Sequence, residues 1–162
     1  MLTQEKLKEY LHYNPDTGLF TWLKYKQRPS KIGSIAGTIR SDGYRSICFF
    51  EKQYFAHRLA WLYMMGIFPA EDIDHIDNNR LNNKWNNLRA CNQSQNNQNY
   101  KKAKVDNSTQ FLGVSYRKES NKYRARIMIN GKSISIGDYD TAKKAHEAYL
   151  IQKRKLHEFC TI

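Results

Sequence analysis

Residues 73–97 read IDHIDNNRLNNKWNNLRACNQSQNN, a pattern that predicts a small strand–loop–strand–helix unit. Two isoleucines bracket a polar pair and indicate a short strand over 73–76. The Asp and Asn residues at 77–79 favour a turn, because both types tolerate left-handed backbone and form local hydrogen bonds. Residues 88–91 predict a returning strand. Asn92, with a glutamine three positions later, has the spacing of a capping box and predicts the start of a helix.

This unit brings together residue types that suit phosphodiester chemistry around one metal ion. Asp74 and His75 are adjacent on the predicted strand, so their side chains point to opposite faces. Asn96 falls about one turn into the predicted helix, on the side that faces Asp74. A hard cation such as Mg²⁺ takes oxygen ligands and keeps several waters. A histidine with an ordinary pKa of about 6.5 can take a proton from an attacking water. The pattern predicts that the unit closes around one ion.

The same stretch resembles the HNH endonucleases, in the subgroup found in phage homing enzymes, over residues 54–99. The matching pieces are His57-Arg58-Leu59, residues 74–81, residues 86–89 and residues 94–97. The resemblance implies that Asp74 and Asn96 bind one divalent ion, Mg²⁺ or Mn²⁺. It also implies that His75 is the general base and that Asn87 ties the loop to the site through hydrogen bonds.

Several assignments have alternatives. Asn97 could replace Asn96 as the metal ligand. An Asp-His pair taken alone is usually a surface pair, and the Asn-rich segment 78–99 could be a polar linker. His57 precedes an apolar segment, 58–65, that predicts a buried helix ended by a glycine. The role of His57 could therefore be packing, loop support or a phosphate contact.

Composition and length limit the number of domains and the class of protein. A chain of 162 residues allows one or two small domains, and 40% hydrophobic residues suffice for small cores. No apolar run reaches the ~20 residues that span a bilayer, and the N-terminal residues lack the apolar block of a signal peptide. Three widely spaced cysteines, Cys48, Cys91 and Cys160, argue against a structural zinc or a disulfide framework. We expect a cytoplasmic protein, in the host cytoplasm if it is phage-encoded, with no membrane partner.

The net charge of +12 favours a polyanionic partner. It is unevenly distributed: residues 1–56 carry +4, residues 57–99 carry 0 and residues 100–162 carry +8. The neutral middle contains the predicted metal site. Basic flanks on both sides suit contacts with a phosphate backbone, which supply affinity. A charged surface that merely keeps the protein soluble would explain the sum but not this division.

The N-terminal region, residues 1–53, is predicted to be mostly β. The expected elements are a short helix over 2–11, a turn at 14–18, a strand over 19–22, and a hairpin of strands 35–40 and 44–50. Arg40 and Arg45 flank the turn of that hairpin, and such a β-ribbon could lie along a DNA groove. A supporting sheet with incidental charge is the alternative.

The C-terminal part begins with a basic linker, residues 100–110, which contains Lys101, Lys102 and Lys104. Alternating residues then predict three strands, with Asn130-Gly131 as a hairpin turn between the second and third. A helix is expected from Ala142 to about Phe159. The predicted strands cover residues 112–117, 122–129 and 132–137.

Residues 111–158 resemble the AP2 DNA-binding domain, a three-stranded sheet that enters the major groove and is backed by one helix. The matching pieces are Gly113-Val114, residues 123–127, residues 136–142 and residues 145–149. The resemblance implies that one sheet face presents Arg117, Arg124 and Arg126, with shorter partners Ser115, Ser133 and Ser135. Arginine can bind guanine through two hydrogen bonds. The tryptophans that pack against DNA in the plant members are missing, so the target sequence does not transfer.

We therefore expect an α+β, modular, metal-dependent endonuclease that cuts duplex DNA and acts as a monomer or weak dimer, without a small-molecule substrate. Its predicted parts are residues 1–53, an HNH ββα-metal motif at 54–99, a linker at 100–110 and an AP2-like domain at 111–160. Two rivals are a transcription regulator with an inactive HNH motif and an RNA-binding structural protein. The predicted DNA contacts are Arg40, Arg45, His57, Arg58, Arg80, Arg89, Lys101, Lys102, Lys104, Arg117, Arg124, Arg126, Ser133 and Ser135.

Overall fold

A computed structural model of the chain describes residues 2–24, 31–101, 103 and 107–161. The chain divides into two compact units, Met1–Cys91 and Asn92–Ile162. Both units mix helices with small antiparallel sheets, which agrees with the α+β class. Among the described helices, none has the length and apolar character that a membrane crossing requires.

The first unit opens with helix α1 (Gln4–Tyr10), and the Thr3 hydroxyl accepts a hydrogen bond from Lys6 N at its start. An antiparallel hairpin follows, formed by β1 (Leu11–Asn14) and β2 (Leu19–Trp22). The Asn14 side chain accepts backbone hydrogen bonds inside the turn, as such residues do. The predicted turn and β2 are confirmed. The prediction missed β1, because it extended the helix to residue 11.

A three-stranded sheet comes next, in the order β3 (Thr38–Ile39), β4 (Arg45–Phe49) and β5 (Lys52–Phe55). The predicted hairpin is confirmed, since β3 and β4 pair antiparallel across the 41–43 turn. Its first strand is shorter than predicted. Strand β5, which carries the chain into the next helix, was not predicted.

Helix α2 (Ala56–Met65) ends at Gly66 in the left-handed conformation, as the sequence predicted. A second hairpin consists of β6 (Asp72–His75) and β7 (Leu88–Cys91), with a short 3-10 helix (Trp85–Asn87) before β7. Both predicted strands are confirmed. The long loop between them, residues 76–87, holds most of the asparagines of the quoted stretch.

One hydrophobic core holds the first unit together. It is made of buried residues from the predicted region 1–53 and from the part of the predicted motif 54–99 that lies in this unit. Its members are Leu7, Leu11, Tyr13, Phe20, Trp22, Ala36, Ile47, Phe49, Ala56, Leu59, Ala60, Leu62, Ile73 and Leu88. The N-terminal elements therefore pack on the helix and hairpin that follow them.

The second unit starts with helix α3 (Gln93–Gln98), and the predicted capping box of Asn92 and Gln95 is confirmed. A three-stranded antiparallel sheet follows, in the order β10 (Lys132–Tyr139), β9 (Lys122–Ile129) and β8 (Val114–Arg117). Asn130 and Gly131 both have positive φ, the backbone of a two-residue hairpin turn.

Helix α4 (Ala142–Leu156) packs against this sheet and ends three residues before the predicted position. Ala145 and Tyr149 are buried against Val114, Ala125 and Ile127. Lys153, the next position on the same helix face, is 1% exposed. Its ammonium group donates to the carbonyl of Tyr100. The sequence had placed Tyr100 at the start of a polar linker.

Candidate active site

The β6–β7 hairpin determines where the predicted pair of catalytic residues lies. Asp74 is opposite Arg89 across the antiparallel ladder, and His75 is opposite Leu88. Asp74 and His75 are successive strand residues, so their side chains leave opposite faces. Both are almost fully buried, with 7% and 4% exposure. A buried polar side chain requires hydrogen-bond partners, and those partners define the site.

The His75 ring lies in a polar and aromatic pocket inside the first unit. Its Nε2 is 3.0 Å from Asn83 Oδ1. The ring of His57 meets it edge-on at a centroid distance of 5.2 Å, and Tyr44 lies at 6.0 Å. Burial lowers the pKa of His75 below its ordinary 6.5, although the Asn83 hydrogen bond opposes this shift. At neutral pH the ring is therefore uncharged and able to accept a proton.

The Asp74 carboxylate forms an ion pair with Arg89. Arg89 Nε and Nη2 both donate to Asp74 Oδ2, at 2.9 and 2.8 Å. The Arg89 side chain is itself only 22% exposed. Sequence analysis assigned Arg89 to a DNA phosphate and did not foresee this pair. In the structure, its guanidinium group neutralises the carboxylate that the HNH resemblance assigns to the metal.

Asn87 closes the loop that follows β6. Its Oδ1 accepts from Asp77 N at 3.1 Å, and its Nδ2 donates to Asp77 Oδ1 at 3.0 Å and to Asn82 O at 2.7 Å. Burial raises the pKa of Asp77, but hydrogen bonds from Asn82, Asn79 and Asn87 outweigh burial and lower it. Asp77 therefore remains ionised at neutral pH and keeps accepting these bonds.

His57, a predicted DNA contact, is 7% exposed at the start of α2. It stacks on Phe55 with a centroid distance of 5.3 Å. Its Nδ1 is buried without a hydrogen-bond partner among the described residues. Burial, then the neighbouring His75 and Arg58, lowers the pKa of His57 to about 3. The ring packs beside His75 as a neutral group, and a direct contact with DNA stays a prediction.

The other predicted arginines of the first unit bind the protein's own backbone and Asp42. Arg58 donates to the carbonyls of Pro69 and Glu71. Arg45 donates to Gly37 O. Arg40 pairs with Asp42 at 3.1 Å. Arg80 donates to the Asp42 carbonyl at 2.7 Å and lies 4.7 Å above the Tyr44 ring. Arg80 thereby joins the loop after β6 to the β3–β4 turn.

Asn96 and Asn97 lie on α3, which belongs to the second unit, whereas Asp74 belongs to the first. Asn97 is exposed, and its Oδ1 accepts from Gln93 Nε2 at 3.3 Å. Asn96 is half-buried. Among the described residues there is no cluster of three or more His, Cys, Asp and Glu that could hold a metal. A site shared by Asp74 and Asn96 stays a prediction.

In the second unit, the predicted DNA-contacting residues share the sheet face opposite α4. Registers pair Ser115 with Arg124 and Ser135 with Arg126, and buried residues alternate with them along β9. Arg124 forms two hydrogen bonds with Asp138, at 2.6 and 2.5 Å. Arg117 is 3.6 Å from Glu119.

Arg126, Ser133 and Ser135 are exposed on this face. Lys101 is exposed as well, while Lys102 and Lys104 lie outside the described residues. The sheet face therefore combines two arginines that lie beside acidic side chains, Arg124 and Arg117, with the exposed Arg126.

Sequence reasoning missed two side chains that hold the site together, Asn83 and Tyr13. Asn83 is one of many asparagines in the loop, and its spacing gave no sign that it contacts His75. The Tyr13 hydroxyl donates to Asn83 O at 2.6 Å. Burial raises the pKa of Tyr13 well above its ordinary value of 10, so this hydroxyl keeps its proton. A tyrosine seventy positions from its partner leaves no local signal.

Comparison with known proteins shows which family part of the chain is similar to. Residues 54–98 match the model of the HNH endonuclease family. An uncharacterized HNH endonuclease of Acanthamoeba polyphaga mimivirus is 32% identical over 102 residues, which are 62% of this chain and 51% of the relative. The chain thus spans about half of that relative's length. No solved structure matches. The segment that carries α2, the β6–β7 hairpin and α3 is therefore the part of the chain that is similar to the HNH endonucleases.

Proposed function

We propose that this protein is a metal-dependent DNA endonuclease of the homing type, which hydrolyses phosphodiester bonds at preferred sites in duplex DNA. One observation carries the proposal. The segment that matches the HNH endonucleases contains the adjacent, buried Asp74 and His75, and a hydrogen bond orients the histidine. An endonuclease needs a base beside an electrophilic phosphate, and this pair supplies the base and an anionic ligand.

His75 is the proposed general base. Its burial favours the neutral imidazole, so it needs no prior deprotonation to take a proton from the attacking water. The water oxygen then bonds to phosphorus as the P–O3′ bond breaks, and the departing O3′ takes a proton from solvent water. The imidazole later returns its own proton to solvent. The expected products carry a 5′ phosphate and a 3′ hydroxyl.

Asp74 and Asn96 would hold one Mg²⁺ or Mn²⁺ ion per chain. A carboxylate and a carboxamide are hard oxygen donors, and such ions keep several waters and need few protein ligands. When bound, the ion would stabilise the negative charge on the phosphate and on the departing 3′ oxygen.

Asn87 is proposed to keep the loop after β6 in the active conformation through its three hydrogen bonds. The β8–β10 sheet face is proposed to bind duplex DNA, with Arg126 and its serine neighbours nearest the bases or phosphates. The +8 charge of residues 100–162 supports the electrostatic part of this binding. With one site per chain, we expect a monomer that nicks one strand and a transient dimer if both strands are cut.

A second candidate is a DNA-binding transcription regulator whose HNH segment is inactive. The exposed arginine and serines on the β8–β10 face favour it, because such a face could bind DNA without any chemistry. The two candidates differ in whether DNA is cut.

The deciding experiment incubates the protein with a plasmid library of random sites in Mg²⁺, Mn²⁺ or EDTA. We expect nicked product in the presence of metal. We also expect a His75→Ala variant to lose about 10²–10⁴-fold in rate while it binds DNA as before. His12→Ala is the matched control, since His12 is an exposed histidine of the same unit. Sequencing the product ends would give the preferred site and show whether one strand or both are cut.

Equal, metal-independent cleavage by the wild type and His75→Ala would refute the proposed endonuclease activity. Sequence-preferring binding without any cleavage would favour the regulator. Preference for duplex RNA over duplex DNA would contradict both, because A-form RNA closes its major groove to a sheet.

A further inference from the structure

We propose that Asn83 is a positioning residue that selects the Nε2–H tautomer of His75, and that the N-terminal β1–β2 hairpin holds Asn83 in place for this task. The inference rests on the proposed function, because it concerns the base of that reaction. It assigns to residues 11–22 a part in organising the active site, whereas the sequence predicted that they belong to a DNA-contacting region, residues 1–53.

The carboxamide of Asn83 has a single orientation. The residue is 1% exposed, its Nδ2 donates to Leu81 O at 3.2 Å, and its Oδ1 faces His75 Nε2 at 3.0 Å. An amide oxygen accepts hydrogen bonds and cannot donate them. The nitrogen that faces it must therefore carry the proton, which leaves the lone pair of the neutral ring on Nδ1. A general base takes its proton at the nitrogen with the lone pair.

The β1–β2 hairpin holds the backbone of residues 83–85 at three points. Tyr13, which is 2% exposed, donates its hydroxyl proton to Asn83 O at 2.6 Å. Trp85 N donates to Pro15 O at 3.0 Å. Gly18 approaches so closely that an added Cβ would lie 2.4 Å from both Asn83 C and Lys84 N.

These contacts connect the β1–β2 hairpin to His75 within the first unit. The Tyr13 ring packs on Phe20 at 4.8 Å and on Tyr63 at 5.6 Å, so its hydroxyl cannot move freely. The hydroxyl fixes the Asn83 carbonyl, and the Asn83 amide fixes the imidazole. A hydrogen-bonded partner on the second nitrogen commonly sets tautomer and ring orientation in histidine sites. The β1–β2 hairpin thus controls the base without contacting substrate.

The test reads the tautomer directly by long-range ¹H–¹⁵N correlation spectra of ¹⁵N-histidine-labelled, full-length protein at neutral pH. We expect His75 in the wild type and in Asn83→Asp to show the Nε2–H pattern, because both retain an acceptor. Asn83→Leu removes the acceptor and should shift the pattern toward Nδ1–H or a mixture. Asn86→Leu, which replaces an exposed asparagine nearby, should leave the pattern unchanged.

The second measurement is the steady-state kinetics of plasmid cleavage. We expect kcat to fall about 10–100-fold in Asn83→Leu, with KM and DNA affinity unchanged and with substantial recovery in Asn83→Asp. Tyr13→Phe should give a smaller fall in kcat. A positioning role predicts a lower kcat with unchanged KM and DNA affinity, whereas general destabilisation would weaken DNA binding as well.

A wild-type spectrum with Nδ1–H on His75 would overturn the inference, whether or not Asn83→Leu folds. An unchanged His75 spectrum in a folded Asn83→Leu variant would overturn it too. If the tautomer behaves as expected and no DNA is cut, the proposed function fails and the structural role of Asn83 stands. If cleavage depends on His75 but not on Asn83, the positioning role fails alone.

Discussion

The two β-hairpins β6–β7 and β9–β10, which carry half of the predicted functional residues, differ in the exposure of their polar side chains. Around β6–β7, Asp74 and His75 are buried, and so are the loop residues Asn83 and Asn87. On β9–β10, Arg126, Ser133 and Ser135 are exposed. Buried polar groups must be hydrogen-bonded, which gives them one geometry. Exposed charges keep their freedom, which suits adaptable contacts with a phosphate backbone.

This difference suggests a division of labour between chemistry and affinity. A general base must lie within hydrogen-bond reach of its water, so its neighbours have to be rigid. Charge-driven binding to DNA tolerates movement, because counterion release needs only proximity. The first hairpin therefore has the environment of a reaction site, and the second has that of a binding surface.

The largest expected effect would come from breaking the buried ion pair. Arg89→Ala leaves Asp74, 7% exposed, without its guanidinium partner. We expect the first unit to lose about 3 kcal/mol of stability, the usual range for one partner of a buried pair. Urea unfolding followed by tryptophan fluorescence would measure it, because Trp22, Trp61 and Trp85 all lie in this unit.

Arg124→Ala on the exposed hairpin is the counterpart. The Arg124–Asp138 pair is more accessible, with side-chain exposures of 25% and 33%, so we expect a much smaller loss for the second unit. Circular dichroism would follow it. Equal losses in the two units would remove the contrast between the hairpins.

Gly18→Ala tests how closely the β1–β2 hairpin packs against the loop after β6. A Cβ at Gly18 would collide with the backbone of Asn83, and we expect overpacking to cost about 1–3 kcal/mol beyond the positive-φ strain. Gly43→Ala is the control in the same unit, since it has a similar φ of +82° and its Cβ would meet Arg80 Cδ at an ordinary 3.8 Å. Equal losses of stability in urea would mean that the approach at Gly18 is not constraining.

Acid should weaken the buried hairpin environment through His57. Its pKa is near 6.5 in an unfolded chain and about 3 in the folded unit, so the unfolded state binds more protons between these values. Stability is therefore lost as the pH falls below about 6.5, by at most about 1.4 kcal/mol per pH unit from this residue. His57→Gln should have a shallower slope between pH 7 and pH 5 in tryptophan-detected unfolding. An unchanged slope would contradict the burial of a neutral ring.

The smallest effect is expected on the exposed face. Arg126→Ala should weaken duplex binding similarly across sequences and reduce the slope of log affinity against log salt by about 1, if the side chain contacts a phosphate. Fluorescence anisotropy at several salt concentrations would measure both. Loss of sequence preference instead of affinity would assign Arg126 to base recognition. No change in either would remove the face from the DNA interface.

Local patterns were sufficient for most of the elements near the site. Alternation and turn residues predicted β6, β7 and the Asn130-Gly131 hairpin, and the capping-box spacing predicted the start of α3. These features depend on neighbours within a few positions. Strand β1 was missed because the predicted helix was extended to residue 11 and the turn was placed from residue 14, whereas pairing with β2 makes residues 11–14 a strand.

Which asparagine supports the histidine could not be read from a segment with asparagines at so many positions. Any of them can cap, turn or accept a hydrogen bond, and the choice depends on which one the fold buries beside His75. The same holds for Lys153, whose charge suggested solvent although α4 buries it and its ammonium group meets a carbonyl. Partner choice across long sequence separations depends on packing.

The sequence by itself determined the chemical repertoire: an adjacent carboxylate and imidazole, an amide-rich loop, a basic C-terminal segment and the family match over residues 54–98. Residue identity and short spacings carry this information because chemistry and local hydrogen bonds act over a few atoms. Tertiary structure alone decided that Arg89 meets Asp74, that Asn83 meets His75 and that Tyr13 secures Asn83. Those contacts arise because one hydrophobic core brings distant segments together, and buried polar groups must then be hydrogen-bonded where the fold places them.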